Sequence, residues 1–380
     1  MLVGKPIRFL IGLALVAPAE RASIQSGEDC ATCGGEGVVL CSEHDAGVAR
    51  SEESVLFCSA ASACDDCHGT GLLDCPRCEA ESGPRRKLKV AAEIPDLLPR
   101  IEAVEKALER PVRFARSPHF LLVYEGPALK IDGKKRSAHA VLHIYLQRLE
   151  ELYQDYLEVF EVKAGDFADV PTICVWSKKG DHAKASQVLC GYERDGPTHQ
   201  RGVVSRLSLL AGKRPLRNDE EVFQTIHHHT AHSLANLQHP AQWLASIGAG
   251  WADAGVAHWL DAVRLGRPGV FCYDVSFDDA RVQPKRWRRE VRKLVASGKA
   301  PSLSSFTSLD TGDMTLEQHM FAYSIVDYLA STDAPRLSRL LVTLRTRSPT
   351  RDAVSAIYGS DLEQLQADWH AWVLREYPRR

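Results

Sequence analysis

The sequence predicts an α+β protein in two parts: a small cysteine-rich module, then a larger domain with a small sheet and a mainly helical C-terminal half. Three observations predict it. Eight of the eleven cysteines fall between residues 30 and 78. Compact apolar runs with strand character occur at His119 to Tyr124 and Thr172 to Trp176. From about residue 218 onward, apolar residues recur at three- and four-residue steps, the spacing of one helical face.

The 380 residues are too many for one small core. The chain is 44% hydrophobic and 25% charged, as in ordinary globular proteins. Its net charge of −2 gives no global attraction to nucleic acid. Residues 1–19 read as a secretory signal. Lys5 and Arg8 precede a short apolar core, Phe9 to Val16, and Ala17-Pro18-Ala19 supplies the small-x-small cleavage pattern. An uncleaved anchor is the alternative. Export to a periplasmic, cell-envelope or extracellular location is therefore expected. No later segment is apolar enough to be transmembrane.

After a mature N-terminal segment at 20–29, residues 30–78 hold a repeat. The first copy is Cys30-x-x-Cys33, then Cys41-x-x-His44. The second is Cys64-x-x-Cys67, then Cys75-x-x-Cys78, offset by 34 residues. A two-residue gap lets a tight knuckle point both ligands at one ion, and Gly35, Gly37, Gly69 and Gly71 permit the turns. Disulfides compete in an oxidising compartment, but the knuckle spacing favours zinc. Each copy closes on itself, or the copies exchange pairs. The C-x-x-C-x-G-x-G unit resembles the zinc domain of DnaJ-type chaperones at Cys30 to Gly37 and Cys64 to Gly71. That resemblance implies structural zinc and protein interaction, without a J-domain. Cys58 has no assigned role. Cys174, Cys190 and Cys272 read as buried small hydrophobes.

A polar stretch at 79–94 reads as a linker, and the second domain as 95–380. Residues 95–110 and Ser137 to Phe160 are expected to be helices, and Val203 to Leu210 a third strand. Breaks in the helical half are expected near Gly266 to Pro268, Ser297 to Pro301 and Ser348 to Thr350. Arg281 to Lys293 carries seven basic residues and one acid. It reads as a solvated helix face, with an anion or partner site as the alternative.

The chemistry concentrates at Ile226-His227-His228-His229-Thr230-Ala231-His232. His228 and His232, four apart on one helical face, have the spacing that shares a metal ion. An HExxH metallopeptidase places a glutamate after the first histidine to accept a proton from metal-bound water; here that position is His229. Downstream, Trp251-x-x-Ala254-Gly255-x-Ala257 resembles the W-x-x-E-G-x-A motif of gluzincin metallopeptidases, with Ala254 where the third ligand belongs. Further similarity to peptidase MA-like domains covers residues 115–376. It includes Ser117 to Tyr124, Phe321 to Leu329 (with Phe321-x-x-Ser324 in place of Tyr-x-x-Ser and Tyr323 nearby) and Asp361 to Trp372.

The resemblance implies a gluzincin-like domain that has lost its base and a ligand. The expectation is a catalytically inactive, exported homologue that binds a protein or peptide, with a structural zinc-knuckle module. The alternative is an atypical zinc hydrolase using His228, His232 and His258, one turn after Ala254, with Asp253 and Asp261 as other ligands. His229 then serves as base. A purely structural component of an assembly is a third reading.

Overall fold

The computed structural model describes residues 38–40, 57–58, 72–77, 99–167, 171–191, 200–202, 207–211, 218–268 and 284–379. The predicted signal segment, most of the cysteine repeat and the linker lie outside them. The protein is α+β and mostly helical, with a small sheet in the first half of the larger domain. Among the described residues, no helix is long and apolar enough to cross a membrane.

Among the described residues, the main sheet has six strands in the order β2-β4-β5-β8-β10-β9. These are β2 (Phe57–Cys58), β4 (Phe114–Arg116), β5 (Leu121–Glu125), β8 (Thr172–Trp176), β9 (Gln200–Gly202) and β10 (Leu207–Ala211). β5, β8 and β10 run parallel, and β4, β2 and β9 pair antiparallel at the edges. β8 coincides with the expected strand. The third expected strand is shifted: β10 starts at Leu207, and Gln200–Gly202 forms its antiparallel partner. Phe57–Cys58, between the two cysteine copies, adds an edge strand to this sheet.

β5 and β8 read as continuous apolar runs because both sheet faces are covered. Leu122, Tyr124, Ile173 and Val175 face the main core with the long helix α2 (Ala138–Phe160). Leu121, Val123, Cys174 and Trp176 face a second core with α1 (99–108) and α3 (Lys179–Cys190). The alternation follows from successive side chains pointing to opposite faces. Ser137 starts α2 by accepting from the Ala140 amide at 3.1 Å, and Glu161 in the left-handed region ends it. A hairpin of β6 (Leu129–Ile131) and β7 (Lys134–Arg136) precedes α2.

The helical half consists of α4 (Asp219–Leu237), α5 (Gly250–Leu265), α6 (Trp287–Ala296), α7 (Leu316–Arg345), α8 (Thr350–Tyr358) and α9 (Leu362–Glu376). Gly266 in the left-handed region ends α5, as the expected break requires. α7 loses helical geometry at Asp333, two residues before Pro335.

Two glycines fix α5. A Cβ at Gly250 would collide with the backbone of Thr311. One at Gly255 would lie 2.6 Å from the Ala322 carbonyl oxygen and 2.6 Å from Val326 Cγ2 on α7. Trp251, fully buried, donates from its indole to Thr350 Oγ1 at 3.1 Å.

Candidate metal centre

α4 carries the histidine run into the middle of the helical half. Its N-terminus is capped by Asn218, whose side chain accepts from the Glu221 amide at 2.8 Å, and Asp219, Glu220 and Glu221 complement the helix dipole. From Ile226 to Leu237 every residue is buried, and His227, His228, His229 and His232 have no exposed surface. α5 lies against it with Asp253, His258 and Asp261, equally buried.

The four-residue spacing brings His228 Nε2 and His232 Nε2 to 3.1 Å. Their other ring nitrogens are both engaged by carboxylates: His228 Nδ1 lies 2.8 Å from Asp261 Oδ2, and His232 Nδ1 lies 2.7 Å from Asp253 Oδ1. A carboxylate at Nδ1 fixes the proton there and leaves Nε2 as an acceptor. Two such lone pairs facing each other repel unless a proton or a metal ion lies between them. Two nitrogens bound tetrahedrally to zinc at about 2.0–2.1 Å stand roughly 3.3 Å apart, close to the observed separation.

The carboxylates are themselves held. Asp253 also accepts from Asn236 Nδ2 at 2.7 Å and from Thr311 Oγ1 at 2.8 Å. Asn236 in turn accepts from the Leu244 amide at 2.7 Å. Asp261 accepts from His227 Nδ1 as well, at 2.8 Å. Burial alone would raise the Asp261 pKa, but His228 and the hydrogen bond from His227 outweigh it and hold the carboxyl below its ordinary value.

His258 approaches His228 with ring centroids 4.9 Å apart. Its Nε2 lies 3.2 Å from His319 Nδ1, on α7. Burial, then the neighbouring His228, His319 and His232, keep the His258 pKa well below its ordinary value. Burial and His228 likewise lower His319 to about 4. Both rings are therefore neutral near pH 7, the form that ligates metal.

Among the described residues, the triple of ligand-type atoms lying mutually within 4.8 Å is His228, His258 and Asp261. It differs from the set His228, His232 and His258 expected from sequence. Both Asp261 oxygens already accept from ring nitrogens, so Asp261 is better placed to orient His228 than to bind an ion. The nitrogen pair on α4 is the closest approach between imidazole donors in the centre, and His258 joins His228 in the mutual triple, which does not include His232. A donor set dominated by imidazole suits zinc, copper or nickel, and the residues present fit the ion.

His229 stands beside the pair, its ring 5.2 Å from His228 and 6.0 Å from His232 between centroids. Ala254 is buried and offers no ligand. Tyr323, the substitute hydroxyl considered from sequence, accepts from Arg288 Nε at 2.9 Å and packs on Trp287. Ser324 accepts from the Trp369 indole at 3.1 Å and so docks α9. The sequence reading missed His227, His319, Asn236 and Thr311. Only His227 carried a signal, as part of the histidine run.

In the cysteine module, β1 (Val38–Leu40) and β3 (Leu72–Asp74) pair antiparallel, with Val38 opposite Asp74 and Leu40 opposite Leu72. Cys75 is buried. Cys30, Cys33, Cys41, His44, Cys64, Cys67 and Cys78 lie outside the described residues. Cys174 is buried as expected, and Cys190 is half-buried. No known family model matches the chain, and no curated protein matches it either.

Proposed function

We propose that this protein is an exported, gluzincin-like metallopeptidase homologue that keeps a metal-binding centre but not peptide hydrolysis, and that acts by recognising a protein or peptide. The observation that carries this reading is the His228–His232 nitrogen pair at 3.1 Å with an aspartate behind each ring. An inert histidine-rich helix has no need of that arrangement. His228, His232 and His258 would hold the ion, and Asp253 and Asp261 would orient the first two. A bound zinc ion would supply Lewis acidity there. Hydrolysis is disfavoured because residue 254 is alanine, residue 229 carries no carboxylate and all the imidazoles are fully buried. Loss of one member of a catalytic unit already costs several powers of ten in rate.

The N-terminal repeat is proposed to hold structural zinc through Cys30, Cys33, Cys41, His44, Cys64, Cys67, Cys75 and Cys78.

The test is elemental analysis of the full chain against the double variant His228→Ala with His232→Ala, each checked for folding by circular dichroism. The wild type should carry one more metal equivalent, and neither protein should cleave casein with zinc in excess. Equal metal content would defeat the reading. Cleavage that disappears in the double variant would replace it with the hydrolase alternative.

A further inference from the structure

The basic run at Arg281 to Lys293 divides into two groups. Arg288 is held by Tyr323 and by Asp327, 3.2 Å from its Nη2. Arg292 Nη1 donates to the carbonyls of Val373 and Tyr377 at 3.2 Å each, and to that of Leu374, closing the end of α9. Lys293 reaches Glu290 at 3.5 Å. Lys285, Arg286 and Arg289 form no ion pair with any described residue. These three converge, with Arg267 and Arg288, on one cavity of about 360 Å³. Among the described residues no acid lines it, and Trp287 and Tyr323 give it an aromatic wall. Among the described residues, acids answer the charge of Arg267 and Arg288 alone in this lining, through Glu220 and Asp327.

We propose that this cavity binds the carboxylate side chains of an acidic peptide segment. The proposal rests on the recognition role given above and names its partner. Three features select this ligand. Guanidinium forks match planar carboxylates two bonds at a time. The aromatic wall suits the apolar stems of neighbouring side chains. The volume, at the low end for ligand sites, admits side chains and not a folded domain. The positive field is local in a chain whose net charge is −2, unlike the extended basic surface that tracks a nucleic-acid backbone.

The test uses the full chain and three short fluorescein-labelled peptides, alternating Leu with Glu, Ser or Lys, followed by fluorescence anisotropy. The Glu peptide should bind, and added salt should weaken it. Arg286→Glu with Arg289→Glu should weaken it by about tenfold or more, as loss of charge-assisted contacts predicts. Lys299→Glu with Arg351→Glu makes the same change of charge at exposed positions away from the cavity and should leave binding within about twofold. Equal loss in both double variants would overturn the proposal. So would preferential binding of inorganic polyphosphate or of phosphatidylserine vesicles with no binding of the Glu peptide. If the Ser or Lys peptide binds and the Glu peptide does not, the cavity proposal alone fails. If no peptide binds, the recognition role fails with it, while metal content measured on the same samples reports the histidine centre separately.

Discussion

Trp287 separates two clusters of basic side chains that the protein treats in opposite ways. Its ring meets that of His258 nearly at right angles, with centroids 5.1 Å apart, and the same residue lines the cationic cavity. On the histidine side, His227, His228, His232 and His258 are fully buried, and two aspartates meet three of their rings. On the cavity side, Lys285, Arg286 and Arg289 reach solvent with no acid in contact among the described residues. Burial makes the difference. A buried polar group without a partner loses its hydration with no return, whereas water solvates an exposed cation until a ligand replaces it.

The sharpest way to break this comparison is Asp253→Ala. It removes the acceptor for His232, Asn236 and Thr311 at once. Leaving such partners buried and unsatisfied should cost about 3–5 kcal/mol in chemical denaturation. A cost below about 1 kcal/mol would mean that the buried network does not need its carboxylate.

Acid should expose the same dependence in the metal-free protein. His319 titrates near 6.5 when unfolded and about 4 when folded. The unfolded chain therefore binds more protons between those values. The stability is fully present above about pH 6.5 and is lost as pH falls toward 4. At 1.36 kcal/mol per unit, His319 alone accounts for about 3 kcal/mol, and His258 acts in the same direction. Denaturation midpoints measured from pH 7 to 4 should fall across that window, and a flat profile would contradict neutral burial.

The smallest expected effect is on the other side of Trp287. Arg286→Glu with Arg289→Glu should change unfolding free energy by no more than about 0.5 kcal/mol, because no folded-state partner is lost. A large destabilisation would show that these cations are structural after all.

Much of this architecture was legible in the residues. β8, α2 and the pair His228–His232 follow from local periodicity, which needs no knowledge of distant chain. His319 does not: it lies 61 positions from His258 and meets it only because α7 lies against α5. Asp261 was visible as a carboxylate near the site, but its place between His227 and His228 depends on how α4 and α5 align. α3 and the β6–β7 hairpin escaped because Lys179 to Cys190 shows no clean apolar stripe and Lys134 to Arg136 is wholly basic. The shift at β10 reflects pairing with β8 and Gln200–Gly202, which a single apolar run cannot encode. The basic run was read as a solvated face, and Arg288 and Arg292 depart from that reading by binding specific partners.

The close approach at Gly255 has a consequence for ancestry. Gly255 lets the Ala322 carbonyl press against α5, and Trp251 ties the same helix to Thr350. On the gluzincin-like reading proposed above, selection on shape alone would preserve both residues after a loss of catalysis, while positions 229 and 254 drifted. The frame of such a motif would then record descent from a fold, and only the residues that touch the reacting atoms would record whether the trade is still practised.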